Sequence, residues 1–67
     1  MSYSRKEIKK FGEKISKFWN ARLVDFQIHK EERYVVFTLK NKDDMFDVEI
    51  SFDEFEDWAD WLILDRN

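Results

Sequence analysis

The chain contains no cysteine, one histidine and one glycine. Without thiols there is no disulfide staple and no thiolate nucleophile, and a lone imidazole cannot build a His/Cys zinc cluster. Apolar runs are equally scarce. None exceeds four residues, Trp61 to Leu64 being one such run, whereas a bilayer-crossing helix needs roughly 20. The first residues, Met-Ser-Tyr-Ser-Arg-Lys, lack the apolar segment of a secretory signal. These absences predict a cytoplasmic protein that uses neither a membrane nor a cofactor.

Sixty-seven residues predict a single domain over 1–67, and a chain of that length hides only roughly 60% of the surface it exposes when unfolded. Its core must be efficient. Seven Phe, three Trp and two Tyr supply the means, since each ring buries on the order of 150–250 Å².

The net charge of −3 conceals a division. Residues 1–42 hold eleven Lys/Arg against five Asp/Glu, and residues 43–67 hold one Arg against ten Asp/Glu. Such asymmetry is either neutralised within the fold or available to steer a partner.

Ser4 with Glu7 forms a capping box, with Tyr3 and Ile8 at its staple positions, so a helix is predicted from Arg5 to Trp19. Ile8, Phe11, Ile15, Phe18 and Trp19 recur on one face of it. Gly12 shares that face, where it costs roughly 1 kcal/mol unless the helix must approach its neighbour closely. Asn20 suits a left-handed stop.

Three alternating stretches follow, Arg22 to Lys30, Arg33 to Lys40 and Met45 to Ser51. Val24, Phe26 and Ile28, then Val35, Phe37 and Leu39, then Phe46, Val48 and Ile50 are the expected inward residues. Asp25, Gln27, Thr38, Asp47 and Glu49 point the other way. The connections, Glu31-Glu32 and Asn41-Lys-Asp-Asp44, are short and polar, which favours antiparallel hairpins.

A second capping box, Ser51 with Glu54, starts a helix that runs to about Ile63, with Phe55, Trp58, Ala59 and Leu62 as its inward stripe. The predicted fold is α+β in the order αβββα: a three-stranded antiparallel meander with both helices packed on one face.

Motifs for chemistry are sparse. His29 has no nucleophile, orienting carboxylate or oxyanion hole beside it in Gln27-Ile-His-Lys-Glu31, so no catalytic residue is assigned. Asp43, Asp44, Asp47 and Glu49 do not follow the EF-hand spacing, and no metal site is assigned. Lys6, Lys9, Lys10, Lys14 and Lys17 surround a lone Glu13 on the outer face of the first helix, the basis of an alternative reading as a nucleic-acid-binding domain. Double-stranded RNA-binding domains share the αβββα order. They carry a basic cluster at the start of the last helix, where this chain has Asp53-Glu-Phe-Glu-Asp57, which would repel a phosphate backbone.

The last helix draws the leading expectation. Asp53, Glu54, Glu56, Asp57 and Asp60 line its outer side, Trp61 and Leu64 fall in a row with Asp57, and Asp47 and Glu49 lie on the preceding strand. Aromatics flanked by carboxylates suit an interface anchor, with acid for steering. The expected function is non-enzymatic: a protein-binding module, of the kind seen in phage-encoded or immunity-type inhibitors, placing an acidic aromatic surface on a basic site of another protein and mimicking nucleic acid. The expected state is a monomer or weak homodimer.

Overall fold

A computed structural model describes residues 3–62, the side chain of Trp61 excepted. Helix α1 (Arg5–Ser16) continues into a 3₁₀ turn (Lys17–Trp19), and strands β1 (Arg22–His29), β2 (Tyr34–Asn41) and β3 (Asp44–Ser51) lead to helix α2 (Phe52–Leu62). The strands form an antiparallel meander with β2 central, and both helices cover one face of it. Two layers account for the thin dimension of 17 Å against 34 Å in the other two. No helix among the described residues is long and apolar enough to cross a membrane.

Both capping boxes form. Ser4 Oγ accepts from the Glu7 N–H at 3.2 Å, and the Glu7 carboxylate accepts from the Ser4 N–H at 2.9 Å. Ser51 and Glu54 repeat the exchange at 3.1 and 3.4 Å. Each box satisfies donors that the first helical turn leaves without partners.

The core joins Ile8, Phe11 and Ile15 of α1 to Val35, Phe37 and Leu39 of β2, Ile50 of β3, and Phe52, Phe55, Ala59 and Leu62 of α2. Phe11 stacks on Phe55 at 4.2 Å and on Phe37 at 5.7 Å, so one ring ties both helices to the central strand. Gly12 permits this. A Cβ there would stand 2.6 Å from Phe37 Cδ1 and 3.0 Å from Leu23 Cδ2, closer than carbon atoms pack.

Asn20 adopts the left-handed conformation (φ 54°, ψ 41°) and turns the chain into β1, with the Ala21 N–H donating to the Ser16 carbonyl at 3.0 Å. Arg33 and Lys42 also have positive φ, 63° and 53°. They bear the hairpin torsions that glycine would otherwise take.

Four expected core positions are corrected. Val24 is 45% exposed, because the register slips between Leu23 and Asp25. This β-bulge leaves Val24 unpaired and brings Leu23, rather than Val24, into line with Phe26 on the inner face. Phe18 and Trp19 are 58% and 41% exposed, because α1 ends at Ser16 and the 3₁₀ turn overhangs the sheet beside the β2–β3 hairpin. There Asn41 Nδ2 donates to the Trp19 carbonyl at 3.1 Å. Trp58, placed in the inner stripe of α2, is 37% exposed. With Phe52, Phe55, Ala59 and Leu62 buried, a 3.6-residue period sets Trp58 at the edge of the stripe, about 80° from its centre.

Candidate functional site

Helix α2 presents its acids as a consequence of how it is anchored. Phe52, Phe55, Ala59 and Leu62 face the sheet, so the intervening Asp53, Glu54, Glu56, Asp57 and Asp60 are all exposed. Exposed Trp58 stands next to Asp57 in the chain and one turn after Glu54. Trp61 and Leu64, expected to share a row with Asp57, cannot be placed: the side chain of Trp61 and all of Leu64 lie outside the described residues.

The two flanks of the helix differ. On the side nearer α1, the Tyr3 ring meets Phe55 edge-on at 5.2 Å. The Tyr3 phenol is raised above its ordinary value, first by desolvation and then by the charges of Asp60, Glu56 and Glu7. Glu56 and Asp60 thus share the flank of α2 that faces Tyr3, and Trp58 lies at the opposite edge of the stripe. Glu54 has a structural duty, since its carboxylate belongs to the capping box.

Among the described residues the one ion pair is Arg33–Asp53, at 3.8 Å with the Asp53 side chain 93% exposed. A pair so long and so open contributes about 0–1 kcal/mol. Glu56, Asp57 and Asp60 have no such partner among the described residues. The division of charge in the sequence is thus not cancelled by ion pairs among the described residues.

Asp47 and Glu49 are also exposed, but on the open face of the sheet, opposite α2. Thr38 Oγ1 donates to Asp47 Oδ1 at 2.9 Å across the β2–β3 pair. The expected acidic site therefore divides into a five-carboxylate helix face and a separate strand-borne pair on an edge strand. Charges there also discourage pairing with other chains.

His29 stacks on Tyr34 across β1 and β2, with ring centroids 4.8 Å apart. Among the described residues, no three His, Asp or Glu side chains converge in a way that could hold a metal ion. On α1, Lys6, Lys9 and Lys10 surround Glu13 at a shallow surface depression.

One feature is invisible in the sequence. Arg5, Lys30 and Arg33 border a recess of about 400 Å³ where α1, the β1–β2 hairpin and the start of α2 meet, over Tyr3, Ile8, Ile28 and Phe52. No spacing rule links these three cations. Only the meander, which returns the first hairpin to the N-terminal ends of both helices, gathers them.

Comparison with protein-family models, curated proteins and solved structures finds no match to this chain.

Proposed function

We propose that the chain is a non-enzymatic protein-binding module of the inhibitor kind, which lays the carboxylate face of α2 on a basic site of a partner protein. There Asp53, Glu56, Asp57 and Asp60 stand in for the phosphates of a nucleic acid, and Trp58, at the opposite edge of the exposed side of the helix from Glu56 and Asp60, is the aromatic anchor. The observation that carries this reading is that Glu56, Asp57 and Asp60 are exposed without a cationic partner among the described residues. Folding alone does not account for them. Asp53 and Glu54 favour the positive end of the α2 dipole, but that effect fades within the first turn and does not reach Asp57 or Asp60.

The test is affinity capture with Asp57→Lys/Asp60→Lys and, separately, Trp58→Ala, each verified as folded by circular dichroism. Charge reversal should weaken capture of the wild-type partner by about tenfold or more, and the loss should shrink as salt is raised. Trp58→Ala should weaken it by about as much with little dependence on salt. Unchanged capture by both variants sinks the proposal.

The nucleic-acid alternative has its own support in the outward cluster of Lys6, Lys9 and Lys10. Duplex and single-stranded ligands titrated against salt decide it: binding whose log–log salt slope shrinks in Lys6→Gln/Lys10→Gln would favour that reading, and no binding at low salt would remove it.

A further inference from the structure

We propose that the recess bordered by Arg5, Lys30 and Arg33 is a binding site for a phosphomonoester carried on a small flat apolar group. It adjoins the α2 face, meeting it at the Arg33–Asp53 pair, and contributes cations where that face contributes acid. Its volume, about 400 Å³, lies within the roughly 300–1,000 Å³ of small-ligand sites. None of the residues lining it is acidic.

The two arginines are held in place before any ligand arrives. Arg5 Cζ lies 4.8 Å over the Phe26 ring and Arg33 Cζ 5.5 Å over the Phe52 ring, within the range of a cation–π contact. The backbone of Arg33 is fixed on both sides: its N–H donates to the His29 carbonyl at 2.8 Å, and its carbonyl accepts from the Phe52 N–H at 2.9 Å. Side chains so placed lose less freedom when they bind, and guanidinium forks match phosphate oxygens two at a time.

Charge selects the class of anion. Arg5, Lys30 and Arg33 supply every charge that lines the recess itself, while Asp53 approaches Arg33 at 3.8 Å and the carboxylates of Glu7 and Glu54 cap the two helix starts beside it. A phosphomonoester carries about −1.5 to −2 near neutral pH and offers three oxygens to the three cations, whereas a monocarboxylate offers one charge and two oxygens. Tyr3 and Ile28 offer a partly exposed apolar wall to whatever carries the phosphate. The lysine cluster on α1 also gathers three cations, but they all project from one helix, around Glu13.

The test is an NMR titration of the isotope-labelled full chain, at constant ionic strength, with phenyl phosphate, inorganic phosphate and benzoate. Phenyl phosphate should shift the Arg5 and Arg33 side-chain Nε–H signals and the Lys30 amide, saturating with a Kd of about 1 mM or below. Inorganic phosphate should bind several-fold more weakly and benzoate about tenfold more weakly. Affinity should rise between about pH 5 and pH 7 as the phosphate loses its second proton near pH 6. Arg5→Gln and Arg33→Gln should each cost about tenfold, and Asp53→Asn should tighten binding several-fold, a gain that a misfolded variant cannot produce. No saturation below about 10 mM, equal binding of benzoate, shifts centred on Lys6 to Lys10, or indifference to the arginine variants would each overturn the proposal.

Discussion

Helices α1 and α2 begin alike and end their resemblance at the surface. Each starts with Ser and a Glu three residues later in a closed capping box. Each sends a buried Phe to the same stack, Phe11 on Phe55 at 4.2 Å. Outward, α1 shows Lys6, Lys9 and Lys10 while α2 shows Glu56, Asp57 and Asp60. Local capping and core packing act on the ends and the inner faces, and they are met by the same residue types in both helices. The outer faces carry no such demand, so their opposite charge is where selection for a partner can act.

The largest test of the shared inner face is Phe55→Ala. Truncating a buried Phe costs about 3–5 kcal/mol, against a total of roughly 3–10 kcal/mol for a domain of this size. The urea midpoint read by far-UV circular dichroism should fall more than in any other variant here, with both helices lost in one transition because one stack joins them.

Gly12→Ala separates the helices. In an open helix this change would gain about 1 kcal/mol. Here the new methyl meets Phe37 at 2.6 Å, so the buried ring must move and the net effect should be a loss of about 1–3 kcal/mol, read as a lower urea midpoint. A higher midpoint would mean that α1 stands off the sheet more than its contacts indicate.

The capping boxes should be matched. Ser4→Ala and Ser51→Ala should each cost about 1 kcal/mol in chemical denaturation, and a much larger cost for one would show that its helix start is also braced by tertiary contacts.

The smallest effect concerns Tyr3, which touches both helices. Its phenol pKa is raised in the fold by desolvation and by Asp60, Glu56 and Glu7. The folded state therefore holds its proton longer than the unfolded state. That contribution is complete below the unfolded value of 10.0, and declines as pH rises from there through the higher folded value. Tyr3→Phe should flatten the alkaline fall in stability measured by urea titration between about pH 9 and pH 11, and an identical slope would remove the assigned cause.

Much of this architecture was legible residue by residue. The helix starts, the strand order, the close approach at Gly12 and the left-handed Asn20 all follow from short-range chemistry, and the structure has each of them. The misplacements arise where one element meets another. Val24 reads as inward because strict alternation has no term for a bulge, and Leu23 takes its place. Phe18 and Trp19 read as core because periodicity does not know where the sheet beneath a helix stops. Trp58 reads as buried because a four-residue stripe leaves the width of the covering surface open, and Phe52, just before the expected helix interior, fills part of that surface instead. In the candidate site, the exposure of Asp53, Glu54, Glu56, Asp57 and Asp60 followed from the helical period, and the separation of Asp47 and Glu49 from α2 followed from strand alternation once both helices are placed on the apolar face.

By itself, then, the sequence determined the αβββα order, both helix starts and the division of charge between the two halves, because each depends on neighbours within a few residues. Tertiary structure alone decided that this charge is not cancelled by internal ion pairs among the described residues, that Trp58 stands at the edge of the acidic helix, and that Arg5, Lys30 and Arg33 share one recess. Those outcomes depend on which faces meet and where chain ends return, and a meander brings together residues whose spacing along the chain carries no sign of it.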